Sequence, residues 1–307
     1  MRNVLRIIGA LVLVVLLTTA CQRDEYPEVH LSVEGGPVVA PERSTGRLPL
    51  RVAVAAVISP KATFDTYSPL LDYLSRQLDR SVELIQRPTY AEINEVLRTG
   101  QADVGFICGG AFVEGEREGY MELLVVPEIN GSATYHALII VPAESQVTRF
   151  DELRGKRMAF TDPLSNSGRL YVEYRLSLMG ETPETYFKET IFTYSHDNSI
   201  RAVAQGLVDA ATVDSLVLDA LVRQEPELES RIRVIERSPA FGIPPVVIHP
   251  DQDLALKTAI RDALLKAHLD PDGRKALQSL HVDRFTLPDP SAYDEIRRMA
   301  ARVRGWK

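Results

Sequence analysis

The chain has 307 residues, 45% hydrophobic and 25% charged, with no low-complexity tract or internal repeat, which excludes a disordered or fibrous protein. Such a length is comfortable for two domains, since one domain most often holds roughly 100–150 residues. The formal net charge of −7 argues against nucleic acid as a partner, because proteins that bind it carry basic patches that neutralise phosphates.

At the N-terminus Arg2 and Arg6 precede an apolar run over 7–17 that ends in T-T-A-C. This is the pattern of a secretory signal over 1–20, too short for a comfortable membrane span. Cys21, directly after Ala20, resembles the acylated cysteine of a bacterial lipobox, although Thr18 stands where leucine is usual. The expectation is a periplasmic protein held to the membrane by a lipid on Cys21, with a plain secreted protein as the alternative. Loss of Arg2 and Arg6 takes the formal charge from −7 to −9. Residues 21–47, rich in Pro, Gly, Glu and Arg, read as a tether.

From 48 onward short apolar strands alternate with amphipathic helices. R-V-A-V-A-A-V is a strand, Leu70, Leu71, Leu74 and Leu78 mark one helix face, and V-E-L-I is the next strand. Ile93, Val96 and Leu97 give a second helix stopped by Gly100, and D-V-G-F-I is a third strand of the kind buried on both faces. The pattern resumes with H-A-L-I-I-V and R-M-A-F, a helix over 168–178, I-F-T-Y, a helix over 198–205, A-A-T-V and a helix over 215–223. R-I-R-V-I closes this second unit. P-A-F-G-I-P-P then breaks the periodicity before V-V-I-H and helices over 254–265, 274–280 and 293–303. The fold class is α/β. A helical C-terminus after a second αβ unit suggests that the chain returns to finish its first lobe; two tandem domains are the alternative.

In open α/β sheets ligands bind beyond the carboxyl ends of the strands, where helix N-termini present unpaired N–H groups. Four strand-to-helix junctions therefore carry the candidate ligand-binding residues. The first, S-P-K-A-T-F, offers Thr63 and, further on, Tyr67; the second is I-C-G-G-A-F, with Cys108, Gly109, Gly110 and Phe112. The third, T-D-P-L-S-N-S-G, brings Ser165, Asn166 and Ser167, and the fourth pairs His196 with Asp214 at the end of the following strand. Helix capping is an alternative role for the serines, Asn166 and Asp214. With Cys21 acylated, Cys108 has no disulfide partner, and an odd thiol in an oxidising compartment is either buried and inert or exposed for a reason. Facing a helix start, Cys108 is expected to have a lowered pKa and to ionise readily. No hydrolase triad, zinc cage or phosphate loop is spelled out, so an enzyme is not expected.

Taken together, D-P-L-S-N-S-G, S-H-D-N-S, G-L-V-D-A-A-T-V-D-S and Y-S-P-L-L-D-Y-L resemble the periplasmic phosphonate-, phosphite- and phosphate-binding proteins of ABC transporters, over about residues 50–290. The resemblance implies a type II periplasmic binding protein: two αβ lobes, 48–138 plus 240–307 and 139–239, joined by a two-crossing hinge with a ligand cleft between them. It implies no cofactor and no catalysis, and it carries a cleft-lining role to Ser165, Asn166, Ser167, His196 and Asp214. Two departures stand out: S-N-S replaces the usual S-T-S, and C-G-G replaces a common G-P. The cysteine is similar to that of a narrower branch, the arsenite-binding proteins that signal to a sensor histidine kinase controlling arsenite oxidation. There Cys108 would hold trivalent arsenic through its thiolate, since soft sulfur selects soft centres. The alternative is a transporter component that delivers phosphonate, phosphite or phosphate to a permease.

Overall fold

The structure is a computed structural model that describes residues 48–303. The leader, the tether and Cys21 lie outside the described residues. No described helix is long and apolar enough to cross a membrane.

Two sheets organise the chain. The first takes β1 (Leu50–Val54), β2 (Val82–Gln86), β3 (Val104–Phe106) and β4 (Glu122–Glu128), joined by α1 (Pro60–Leu78), α2 (Tyr90–Arg98) and α3 (Gly109–Arg117). The chain then passes through a short strand, β5 (Thr134–Tyr135), into the second sheet. That sheet holds β6 (Ala137–Pro142), β7 (Arg157–Phe160), β8 (Glu189–Phe192), β9 (Ala210–Asp214) and β10 (Ile232–Arg237). Its helices are α4 (Tyr171–Leu178), α5 (Pro183–Tyr186), α6 (His196–Ala204) and α7 (Ser215–Gln224). After β11 (Phe241–Gly242) the chain re-enters the first sheet as β12 (Val246–Ile248) and, beyond α8 (Leu254–Lys266) and α9 (Pro271–Ser279), β13 (Arg284–Thr286). Helix α10 (Asp294–Arg302) ends the described chain.

The strand orders are β13-β4-β12-β3-β1-β2 and β10-β6-β9-β7-β8, with β5 and β11 forming a two-stranded antiparallel ribbon between them. In the first sheet β1 lies parallel to β2 and β3, whereas β12 is antiparallel to β3, as expected of a strand added from the far end of the chain. Val104, Gly105 and Phe106 of β3 are all buried, in keeping with the continuous apolar run.

Besides the short β5, β11, β13 and α5, which the sequence reading did not mark, two details depart from it. The helix expected over 168–178 starts as a wide turn at Asn166–Leu170, in which Leu170 N–H reaches back five residues to Ser165 O (3.0 Å). Strand β4 was not anticipated, because Pro127 interrupts its apolar run and proline removes a ladder donor. Here it is tolerated near the strand's end, beside β13.

Candidate functional site

Four elements deliver the polar cluster. Cys108 occupies the position just before α3, in extended backbone, where the helix's first N–H groups are unpaired. The loop after β7 folds back on itself: Thr161 N–H bonds Gly168 O at 2.9 Å, and Ser165 Oγ accepts from Gly168 N–H at 2.9 Å. A side chain at Gly168 would lie 2.5 Å from Thr161 and 2.7 Å from Ser165 Oγ, so the turn requires glycine there. His196 opens α6, and Asp214 ends β9 and caps α7 by accepting from Leu216 N–H at 2.7 Å.

All of this is dry. Ser165, Asn166 and Ser167 have no exposed surface, and Cys108, His196 and Asp214 are buried. Around the Cys108 thiol stand the backbone N–H groups of Asn166 and Gly110, the Ser165 hydroxyl and, somewhat further, Asp214. The phenols of Tyr90, at the start of α2, and Tyr135, on the ribbon, face the same thiol. Asn166 Nδ2 donates to Tyr135 Oη at 2.9 Å. Of the nine buried side-chain polar atoms without a partner among the described residues, three lie in this cluster: Tyr90 Oη, Asn166 Oδ1 and Ser167 Oγ, the last close to the Tyr135 phenol but outside good hydrogen-bond geometry. Buried polar groups are normally satisfied, so three orphans in one cluster point to a ligand that supplies the missing partners.

The ionisation states follow from burial. His196 Nδ1 accepts from Asp214 N–H at 3.0 Å and lies 3.2 Å from Thr161 Oγ1, which leaves the ring's proton on Nε2. Desolvation drives the His196 pKa down to about 3, so the ring is neutral. Asp214 is pushed up to about 7 by burial, against the opposing pull of the Leu216 and Val217 N–H groups. None of the clustered side chains is a lysine or arginine.

One expectation fails here. Cys108 was expected to ionise readily at the helix start, but burial pushes its pKa up to about 11, outweighing the two N–H groups and the Ser165 hydroxyl that favour thiolate. In this arrangement Cys108 is a thiol. The hydrogen bonds from Asn166, Gly110 and Ser165 do favour the thiolate, but the loss of water exceeds them.

The other candidates separate into two groups. Ser165 and Asp214 do serve as helix caps, while Asn166 and Ser167 keep atoms free for another role. Phe112 does not reach the cluster: it is fully buried in the apolar core, edge-on to Tyr293 at 5.0 Å. Gly109 packs under Ile296 Cδ1, where a side chain would come within 2.9 Å. Gly110 touches the opposite loop, where a side chain would meet Leu164 O at 2.3 Å. Thr63 and Tyr67 line a neighbouring cavity of about 340 Å³, reached by both sheets' loops, whose only link to the cluster among the residues named above is Asp214. Tyr90 and Tyr135 escaped the sequence reading. The signal for Tyr90 was the capping box of Thr89 and Glu92, which fixes Tyr90 as the first helical residue.

Comparison with known proteins gives a consistent answer. Residues 52–293 match the family model described as the periplasmic substrate-binding protein of the phosphonate ABC transporter. The chain is similar to the phosphonates-binding periplasmic protein of Escherichia coli, 26% identical over 239 residues, covering 76% of this chain and 70% of the relative. It is also similar to a phosphate-import protein of Mycolicibacterium smegmatis, 26% identical over 236 residues, covering 73% and 70%. Among solved structures, the binding component of a phosphonate transporter from Pseudomonas aeruginosa superposes with a TM-score of 0.77 at 23% identity, covering 84% of this chain and 90% of that one. A Prochlorococcus marinus protein in complex with methylphosphonate gives a TM-score of 0.75 at 19% identity, covering 83% and 97%. The fold is therefore that of the type II periplasmic binding proteins, as expected. The relatives are periplasmic substrate-binding proteins of transporters, not enzymes.

Proposed function

The chain belongs to the phosphonate-type periplasmic substrate-binding proteins of ABC transporters, and we propose that it binds a small phosphorus oxyanion (phosphonate, phosphite or phosphate) and passes it to a permease. The observation that supports this reading is the buried set of orphan atoms on Tyr90, Asn166 and Ser167, beside the N–H groups of Gly110 and Asn166. Hydroxyls and helix-start N–H groups hold oxyanions without a counter-charge. With neutral His196 and no lysine or arginine in the cluster, the site suits a ligand that keeps a proton, which it donates to Asp214 or to Asn166 Oδ1. Segments 48–138 plus 240–307 and 139–239 act as lobes that hinge on the β5–β11 ribbon and shut over the ligand. Ser165, Gly110 and Cys108 complete the wall, and Thr63 and Tyr67 border the approach.

A second reading takes arsenite as the ligand and a sensor histidine kinase as the partner; the placement of Cys108 at the centre of the cluster favours it. Arsenite is neutral as arsenous acid, which suits a site lacking basic groups. The thiol proton and one arsenic hydroxyl leave as water while a sulfur–arsenic bond forms. A lipid on Cys21 would hold either machine at the membrane.

A thermal-shift panel tests the choice, since a ligand that binds only the folded state raises the melting temperature. Methylphosphonate, phosphite or phosphate raising it in both native protein and Cys108→Ser supports the transport reading. A rise with arsenite alone, abolished by Cys108→Ser, replaces it with the sensing reading.

A further inference from the structure

The loop T-D-P-L-S-N-S-G contains one residue that no ligand role absorbs. Asp162 is almost fully buried. Its Oδ1 accepts Leu164 N–H at 2.8 Å, shaping its own loop, while Oδ2 accepts Tyr90 N–H at 3.1 Å. Asp162 follows β7 in the second sheet, whereas Tyr90 opens α2 of the first, so this bond spans the two sheets' loops. The Tyr90 N–H belongs to the positive end of a nine-residue helix, which favours a carboxylate partner. Tyr90 also sends its phenol, with no hydrogen-bond partner, into the polar cluster.

We infer that Asp162 is a positioning residue that latches the two lobes together and, by gripping the Tyr90 backbone, seats the Tyr90 hydroxyl against the bound oxyanion. The inference rests on the clamp reading of the preceding subsection. Asp162 itself touches no ligand. It stabilises only the shut form, so its contribution appears as slower ligand escape, by no more than the shut form's advantage over the open one. The backbone contact of His196 N–H with Val57 O, 3.0 Å, is a second bridge of the same kind but carries no charge.

Asp162→Asn separates the two bonds. The amide oxygen still accepts from Leu164, but the amide nitrogen in place of Oδ2 is a donor and cannot accept from Tyr90. In stopped-flow titrations with methylphosphonate and phosphite, the expected result is a dissociation rate raised by about tenfold with the association rate unchanged. A second measurement needs no variant: amide exchange at Tyr90 in native protein should slow on ligand addition. Unchanged dissociation in Asp162→Asn, or a Tyr90 amide equally protected without ligand, overturns the latch while leaving the oxyanion reading intact. Failure of native protein to bind either probe overturns that reading, and the latch with it.

Discussion

Gly110→Ala places a single methyl group at a close contact between the two sheets' loops. Its Cβ would stand 2.3 Å from Leu164 O and 3.0 Å from Asn166 N, both backbone atoms that cannot rotate away. Restoring an ordinary contact near 3.4 Å requires the loops to part by about 1 Å. Parting them carries the Tyr90–Asp162 bond (3.1 Å) and the His196–Val57 bond (3.0 Å) beyond hydrogen-bonding range. One is charge-assisted and the other neutral, so their combined loss costs about 2.5–4 kcal/mol. With the lobes hinging as proposed, all of that falls on the shut form, and affinity should drop by about two to three orders of magnitude. The open form escapes the clash, and replacing a helical glycine by alanine gains about 0.5–1 kcal/mol. Calorimetry with methylphosphonate and a ligand-free melt read the two effects separately. The reasoning is refuted if affinity stays within about threefold of native, or if the ligand-free melting temperature collapses, since the lobes would then not separate.

Three further outcomes follow from the cluster. Ser167→Ala removes a hydroxyl that the shut cluster leaves unpaired, so oxyanion affinity should fall about tenfold while urea unfolding of the ligand-free protein stays within about 1 kcal/mol of native. The His196 pKa, lowered to about 3, makes the neutral ring's contribution fully present above the unfolded value near 6.5 and lost as pH falls toward 3. At pH 5 the loss amounts to about 2 kcal/mol, and a melting series over pH should show His196→Gln lacking that portion of the acid sensitivity. Cys108, with its pKa raised to about 11, should react slowly with a disulfide reagent at pH 8 in ligand-saturated protein and rapidly in denaturant.

Much of this was legible beforehand because period and punctuation are local. The face of Leu70, Leu71, Leu74 and Leu78 and the apolar run before Cys108 depend only on neighbours in the chain, and the helix and strand formed where they predicted. The junction residues were found for the same reason: Cys108, Ser165, His196 and Asp214 each sit where a strand or its loop meets a helix. What could not be read locally is anything set by a distant segment. The ionisation of Cys108 depends on its burial and on hydrogen bonds from residues more than 50 positions away, Ser165 and Asn166. Phe112 and Tyr67 have similar junction addresses, yet Tyr293 draws one into the core and Phe106 packs against the other. Tyr135 enters the cluster only because the ribbon with Phe241 brings it there, and no pattern around residue 135 announces that pairing.

The central claim is that the cluster around Ser167 and Tyr90 holds a phosphorus oxyanion. Isothermal calorimetry of methylphosphonate and phosphite against native protein, Ser167→Ala and Tyr90→Phe tests it most directly. The account predicts one-to-one binding of at least one of them to native protein, weakened about tenfold or more in each variant. No binding by native protein, or binding that both variants leave unchanged, would contradict it.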